Sequence, residues 1–252
     1  HLFFTVIAVE RLGVMCVTGL WWNPVPSEES PYRLVVLNNR DESRNRPTTS
    51  LCAWGDRQSL VSPRDGLSGG TWIGLNRESR VFGNLTNAVS PGGKHVHEEG
   101  TEARQSADEL QSRGNFLVSA LASSPLDLRE FLEAEDLQQY GHFNALFAKG
   151  DSLISVGNFH PPKGSAKCTQ LSPGFHSLAN DVTPDSDWPK ERRLKQGLLE
   201  VLSLAEVQSG GNLEPHVGDL FQVLGNSEEE ETIGLVHNQR HTRARVHTHI
   251  RT

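Results

Sequence analysis

Segments with strand character and segments with helix character are grouped into blocks along this chain, with several strands before each run of helices. Apolar patterns of the strand type cover 16–22, 32–37, 71–75, 80–84, 144–147 and 153–157. Apolar patterns of the helix type cover 103–110, 115–121, 125–132 and 188–204. This grouping favours an α+β fold with mostly antiparallel sheets over a doubly wound sheet, in which strands and helices alternate one by one.

The composition is that of a folded globular protein. A chain of 252 residues buries about 70–75 % of its unfolded surface, which is enough for a core without cross-links. Hydrophobic residues at 36 % and charged residues at 22 % exclude a disordered chain and a bundle of membrane helices. The net charge of −7 argues against a nucleic-acid partner. Because Cys16, Cys52 and Cys168 match no zinc or disulfide spacing, we predict a reducing compartment, no metal and no cofactor.

The start of the chain differs from the rest. An apolar run over residues 2–9 precedes the only methionine, Met15. The run is too short to cross a bilayer, which needs about 20 helical residues, so no transmembrane segment is predicted. It fits a remnant of a signal-peptide core or residues upstream of an initiator at Met15, and the missing basic start and cleavage site favour the second. We expect 1–14 to be a leader outside the fold and 15–252 to form one domain with a truncated or divergent end.

Met15 and Cys16 form the most suggestive pair for chemistry, because removal of an initiator methionine would leave Cys16 at the amino terminus. Such a residue carries a thiol and an α-amine, whose ordinary pKa values are about 8.5 and about 7.7–8.0. The amine can take the proton of the thiol, so that one residue supplies both nucleophile and base. The alternative is an inert, buried strand cysteine, and no free amine exists while the leader remains attached.

A polar cluster, Asn39-Arg40-Asp41-Glu42, follows the second predicted strand. In such a cluster a guanidinium can fix a thiolate, and a carboxylate can orient a free amine. The alternative is a salt-bridged surface turn, which contributes about 0–1 kcal/mol and has no chemical role. On its residues alone, the cluster leaves both interpretations open.

A series of short motifs continues in order after this cluster. Its members are Gly69-Gly70-Thr71-Trp72-Ile73-Gly74, Leu85-Thr86-Asn87, Ser112-Arg113-Gly114, Phe143-Asn144 and Leu178-Ala179-Asn180. Together with the Met-Cys pair and the sequence NRDE, the series resembles the NRDE family, also called the transport and Golgi organisation protein 2 family. Each motif alone is common, but their order over about residues 15–199 makes chance a poor explanation.

The resemblance implies a fold similar to that of the N-terminal-nucleophile hydrolases, a four-layer α-β-β-α sandwich with mostly antiparallel sheets. It implies Cys16 as nucleophile, Arg40 and Asp41 as the pair that positions it, and Asn180 as oxyanion donor, with Asn87 next. Two residues typically separate the arginine from the aspartate in the cysteine amidases, whereas Arg40 and Asp41 are adjacent here. The alternation of an ideal strand therefore places these two side chains on opposite faces.

Further residues are candidates for binding rather than for catalysis. They are Asn39, Glu42, Trp72, Asn87 and Arg243, the last from a segment that resembles the end pattern of the family. Separately, the pairs His95/His97 and His247/His249 put two rings on one side of a strand, a geometry that chelates zinc or copper. No nearby cysteine completes a recognised ligand set, and we predict no metal at either pair.

The resemblance implies an intracellular protein of Golgi organisation and secretory transport, with mitochondrial lipid or haem handling and a pocket for a small acyl or tetrapyrrole ligand. Such a protein is expected in the cytoplasm, in association with the Golgi and mitochondria. The alternative is a cysteine amidohydrolase or acyl hydrolase of the N-terminal-nucleophile type that uses Cys16. Because one fold hosts unrelated activities, the motifs leave the question of turnover open.

Overall fold

The computed structural model describes residues 3–11, 16–28, 30–43, 45–88, 110–122, 128–158, 168–180, 188–225 and 243–251. The strands are β1 (Phe3–Arg11), β2 (Val17–Trp22), β3 (Tyr32–Asp41), β4 (Thr48–Trp54), β5 (Arg57–Asp65), β6 (Ile73–Asn76), β7 (Val81–Asn87), β8 (Phe143–Lys149), β9 (Ser152–Gly157), β10 (Thr169–Gln170), β11 (Gly174–Ala179) and β12 (Arg243–Arg251). The helices are α1 (Arg113–Ala122), α2 (Leu128–Ala134), α3 (Pro189–Ser209) and α4 (Val217–Gly225), with short 3-10 turns at Leu137–Gln139 and Glu214–His216.

The strands form two sheets. One has five strands in the order β11-β2-β3-β1-β12, and the other has seven in the order β10-β9-β8-β7-β6-β5-β4. Within the described part of the chain, every pairing of these strands is antiparallel except that of β1 with β3. The predicted mixed class with mostly antiparallel sheets is confirmed.

Three apolar clusters join the helices and the sheets. Phe147 of β8 packs with Phe116 of α1 and with α2 on one face of the seven-stranded sheet. The next residue back along β8, Leu146, points to the other face, where Trp22 of the five-stranded sheet also lies. The third cluster holds α3 and α4, with Leu198, against the remaining face of the five-stranded sheet. Each large apolar side chain buried in this way contributes about 1.5–3 kcal/mol to stability. Together these side chains strongly favour this arrangement of the two sheets and the helices.

Strand β1 occupies residues that the sequence analysis assigns to a leader outside the fold. Its backbone pairs in parallel with β3, with Arg11 opposite Asp41, and antiparallel with β12. Residues 3–11 thus form a strand of the five-stranded sheet, while a leader over 1–14 and initiation at Met15 stay predictions. The physical reason is that this run of aromatic and β-branched residues suits a strand, and it supplies partners for an otherwise open edge of β3.

Several elements extend beyond their predicted ends or have no counterpart in the sequence patterns. Strand β3 continues to Asp41, because its polar residues keep backbone pairs with β2 and β1 after the apolar pattern stops. Strands β4, β5 and β11 and helix α4 were not predicted, and the helix predicted over 103–110 lies outside the described residues. Of the helices described, none is long and apolar enough to cross a membrane.

Candidate functional site

Cys16 directly precedes β2 and lies between the ends of the two neighbouring strands. Val17 pairs with Asn39 on β3 and with Ala179 on β11. Because both pairings are antiparallel, the residue before Val17 lies beside the residues that follow Asn39 and Ala179. This register brings Arg40 and Asn180 to Cys16 from distant parts of the chain.

Asn180 joins the backbone of Cys16 to the other sheet. Its Oδ1 accepts a hydrogen bond of 2.5 Å from the backbone N–H of Cys16. Its Nδ2 donates at 2.9 Å to the carbonyl of Asn87, at the end of β7. A second bond between the sheets lies next to it, where the Thr86 hydroxyl donates to the carbonyl of Ala179 at 2.9 Å. An amide nitrogen carries two hydrogens, and the contact with Asn87 uses one of them.

The thiol of Cys16 is half-buried, and it donates to the carbonyl oxygen of Asp41 at a distance of 3.8 Å. Burial raises the pKa of this thiol, because the thiolate loses hydration. The charges of Arg40 and Lys190 lower the pKa, whereas the Asp41 carboxylate raises it. The net pKa lies above the ordinary value, so the thiol form predominates at neutral pH.

Arg40 is buried on the side of β3 that faces the seven-stranded sheet. Its Nη2 lies 2.8 Å from Oδ2 of Asp65 and 3.2 Å from Oε2 of Glu42, and its Nη1 donates to the Thr48 hydroxyl at 3.0 Å. Its guanidinium also stacks over the Trp72 ring, 4.0 Å from the ring centroid. The plane of the guanidinium suits both the stacking and the ion pairs, which a lysine would not reproduce.

Asp41 points the other way, as strand alternation predicts for the neighbour of Arg40. Its Oδ1 accepts from Asn39 Nδ2 at 2.9 Å, and its Oδ2 lies 3.4 Å from Nζ of Lys190 on α3. The Asp41 side chain is only 3 % exposed, so its charge is held by these contacts rather than by water. Its carbonyl accepts from the thiol of Cys16, and the side chains of Arg40 and Asp41 lie on different faces of the sheet.

Asp65 is a central acidic residue of the site that the motif series did not identify. Besides Arg40, it accepts from Arg46 Nε at 2.5 Å and from the backbone N–H groups of Leu67 and Ser68 at 3.0 and 2.9 Å. Burial by itself would raise the pKa of Asp65, but these hydrogen bonds and the charge of Arg46 lower it to about 2. A carboxylate just before the glycine-rich turn 66–70 is the sequence signal that could have identified it.

A chain of polar contacts continues from Trp72 between the sheets. Trp72 Nε1 donates to Asn38 Oδ1 at 3.2 Å, and Asn38 Nδ2 donates to the Thr18 hydroxyl at 2.8 Å. Asn38 and Thr18 are almost wholly buried, and both follow the alternation that puts Arg40 on this side. The chain fixes the orientation of the indole ring that covers the guanidinium.

The remaining candidates differ in how they take part. Glu42 pairs with Arg40 and lies 3.7 Å from Arg46, and Asn39 reaches Asp41. Asn87 contributes its carbonyl, while its side chain is exposed. Arg243 begins β12 opposite Glu10, but its side chain and those of the pair His247/His249 are not described. The pair His95/His97 lies outside the described residues.

The family model described as Transport and Golgi organisation 2 matches residues 15–251, which is most of the chain. The chain belongs to this family. The matched residues include Cys16, the NRDE cluster and Asn180.

Relatives of this Transport and Golgi organisation 2 chain occur in mammals. It is 30 % identical over 226 residues to the Transport and Golgi organization 2 homolog of Mus musculus, covering 86 % of this chain and 74 % of the mouse protein. It is 27 % identical over 226 residues to the Homo sapiens homolog, with the same coverage of 86 % and 74 %. Among solved structures it is similar to a Caenorhabditis elegans N-acylethanolamine-hydrolyzing acid amidase ortholog, with a TM-score of 0.38, 11 % identity, and coverage of 86 % and 88 %.

Proposed function

We propose that this protein acts in Golgi organisation and secretory transport by binding a small acyl or tetrapyrrole ligand beside Cys16, and that the same role includes mitochondrial lipid or haem handling. The names of its mammalian relatives support the first part. The single observation that carries the molecular part is the hydrogen bond from the Cys16 backbone N–H to Asn180.

While residues precede Cys16, the peptide bond at its nitrogen favours binding over turnover. The nitrogen is then part of a peptide bond and has no basicity near neutral pH, so it cannot take a proton from the thiol. Burial also keeps the thiol protonated by raising its pKa. What the site does offer is the partly exposed ammonium of Lys190 and the half-buried ring of Trp72. These groups suit the carboxylate and the apolar body of an acyl or tetrapyrrole ligand.

A cysteine amidohydrolase is the second candidate, for a chain that begins at Cys16. Its specific support is the position of Asn180 Oδ1, 2.5 Å from the nitrogen that would become the α-amine. The free amine would take the thiol proton, and the sulfur would attack the acyl carbon, placing negative charge on the former carbonyl oxygen. The second hydrogen of Asn180 Nδ2 is a donor for that oxygen.

Water is the only further reactant that this catalytic cycle needs. The tetrahedral adduct expels the amine of the substrate, which receives the proton held by the α-ammonium, and a thioester remains on Cys16. Water attacks this thioester with the α-amine as base, releases the carboxylic acid and restores the thiol.

The deciding experiment compares three purified proteins: the full chain, a chain that begins at Cys16, and the full chain with Cys16→Ser. Each is assayed with a panel of acyl amides and acyl thioesters, and by equilibrium binding of a fatty acid and of haemin. A binding role predicts no turnover and Kd values within a few-fold across the three proteins. Cys168→Ser is the matched control, because Cys168 is also half-buried.

The second candidate predicts hydrolysis only by the chain that begins at Cys16. Hydrolysis that is equal in all three proteins would remove Cys16 from the mechanism. Neither binding nor hydrolysis by any of them would overturn both candidates.

We also propose that the protein resides in the cytoplasm in association with the Golgi and mitochondria. The family description supports the Golgi part, and the resemblance to the family supports the rest. Imaging of the full chain fused to a fluorescent protein, with Golgi and mitochondrial markers, tests both locations. A signal confined to another compartment would contradict this proposal.

A further inference from the structure

We propose that the protein has a second binding site, for a small organic anion, at the opposite end of β2 from Cys16. A cavity of about 250 Å³ lies there between the two sheets, and its walls include Trp22, Arg33, Ser79, Arg80, Ala148 and Lys149. Cys16 precedes β2 and Trp22 ends it, so about 20 Å of extended chain separates this cavity from the site described above.

Positive charge dominates the walls of this cavity. Arg33, Arg80 and Lys149 all line it. The carboxylate of Asp151 forms an ion pair with Nη1 of Arg33, and that nitrogen also lies 2.8 Å from the carbonyl of Gly150. The Asp151 side chain is 79 % exposed and Arg80 is exposed too, so water screens both of these charges and two further cations, Arg33 and Lys149, remain on the walls. In a chain with a net charge of −7, such a local excess of cations favours an anionic ligand.

Two hydrogen-bond donors on the walls lack partners. Nε of Arg33 and the hydroxyl of Ser79 are buried, and neither has a hydrogen-bond partner within the described part of the chain. Leaving a buried donor unsatisfied costs free energy, so native structures nearly always pair such groups. Because both residues line the cavity, a carboxylate or phosphate bound there brings acceptor oxygens close to these donors.

Arg80 lines the cavity although its backbone conformation is unfavourable for a residue other than glycine. Its φ is +55°, and it is the one non-glycine residue with positive φ among the residues that the structure describes. Glycine or asparagine usually occupies such a position, at the end of a hairpin turn, because a larger side chain is strained there. The turn thus carries an arginine where backbone preference favours a small residue, and the side chain of that arginine lines the cavity.

The apolar part of the cavity defines the rest of the ligand. Trp22 and Ala148 line it beside the cations, and the volume equals that of roughly eight water molecules. This size suits a carboxylate or phosphate ester with a compact apolar body, such as a benzoyl or phenyl group. The inference does not depend on the function proposed for Cys16.

The test is isothermal titration of the full chain with benzoate, phenyl phosphate, inorganic phosphate and the neutral amide benzamide. We expect saturable binding of benzoate or phenyl phosphate at one site, and binding of benzamide that is weaker by about tenfold or more. The difference in affinity between benzoate and phenyl phosphate identifies the preferred anionic group. The difference in affinity between phenyl phosphate and inorganic phosphate measures how much the apolar body contributes to binding.

Three variants assign the binding to this cavity. Arg80→Asn removes the cation and suits the left-handed backbone, so we expect affinity to fall about tenfold while thermal stability is kept or raised. Ser79→Ala removes an unpartnered hydroxyl, so affinity should fall a few-fold without loss of stability. Arg77→Asn is the matched control, because Arg77 lies in the same turn as Arg80 and is exposed like it, but does not line the cavity and donates to the carbonyl of Gln58.

The Arg77→Asn control should bind the anion as the parent chain does, within about twofold. If Arg77→Asn lost as much affinity as Arg80→Asn, the net charge of the protein alone would attract the anion. This result would contradict a binding site in the cavity. Equal binding of benzamide and benzoate, or no saturable binding up to about 10 mM, would also overturn it.

Discussion

The backbone nitrogen of Cys16 lies 2.5 Å from Oδ1 of Asn180, which is 164 residues later in the chain. The amide nitrogen of the same side chain bonds the carbonyl of Asn87 on the seven-stranded sheet. One side chain therefore connects the candidate nucleophile to both sheets, and it uses the donor and the acceptor ends of its amide to do so.

Replacing Asn180 by alanine should lower the free energy of unfolding by about 1–3 kcal/mol, because two backbone groups lose their partner. Denaturation in urea measures the change. Asn115→Ala is the control, since Asn115 is exposed on α1, and its effect should stay within about 0.5 kcal/mol. Equal effects of the two substitutions would contradict a connecting role for Asn180.

Replacing Arg40 by alanine should destabilise the protein by about 3–5 kcal/mol, because it leaves the buried Asp65 without one of its cations. Arg40→Lys should recover only part of this loss, since an ammonium cannot stack over Trp72 as a guanidinium does.

Arg64 is the matched control for Arg40. It stacks over Trp54 at 4.2 Å, but its carboxylate partner Asp56 is exposed. Arg64→Ala should therefore cost about 1 kcal/mol or less. Urea denaturation compares the variants, and a loss for Arg64→Ala as large as that for Arg40→Ala would contradict the importance of burial.

Asp65 should make the folded state sensitive to acid. Its pKa of about 2 in the folded protein lies below the ordinary value of 3.8, so its contribution is present above about pH 4 and is lost as pH falls towards 2. The contribution is about 2 kcal/mol. Stability of Asp65→Asn, measured in urea at several pH values, should vary less in this window than that of the parent. Asp56→Asn, at an exposed ion pair, should keep the dependence of the parent chain.

Gly70→Ala should destabilise the fold by about 2–4 kcal/mol, because no room exists for the added methyl group. A Cβ at Gly70 would lie 2.5 Å from the carbonyl carbon of Gly114 and 2.8 Å from the backbone nitrogen of Asn115. Gly55→Ala is the control, since a Cβ there has nothing within 4 Å. Thermal unfolding of both variants measures the difference, and equal midpoints would argue against the close approach.

The three cysteines should differ in their rates of alkylation. In the full chain, Cys52 should react first with iodoacetamide, because it is exposed, whereas burial raises the pKa of both Cys16 and Cys168. Peptide mapping by mass spectrometry at several times gives the order. Faster reaction at Cys16 than at Cys52 would show that the thiol is activated in the intact chain. In a chain that begins at Cys16, the neighbouring ammonium should raise the rate at that residue.

Local patterns located many parts of the site but not its geometry. The motif series predicted Cys16, Arg40, Asp41, Trp72 and Asn180 as candidates, and the structure brings contacts from each of them into one region. The acidic partner Asp65 and the cation Lys190 were missed, because each stands in a stretch that reads as an ordinary turn or helix surface.

The sequence by itself determined the class of fold and the resemblance of the chain to the NRDE family. It also determined the strand alternation that places Arg40 and Asp41 on opposite faces. These features are encoded in neighbouring residues, as periodicity and as short motifs. Only the tertiary structure decided that residues 3–11 pair beside β3, that Asn180 reaches Cys16, and that Arg40 pairs with Asp65. Those contacts depend on strand register and on how two sheets pack. Register and packing are set by the sum of many burial energies across the chain, which no local pattern records.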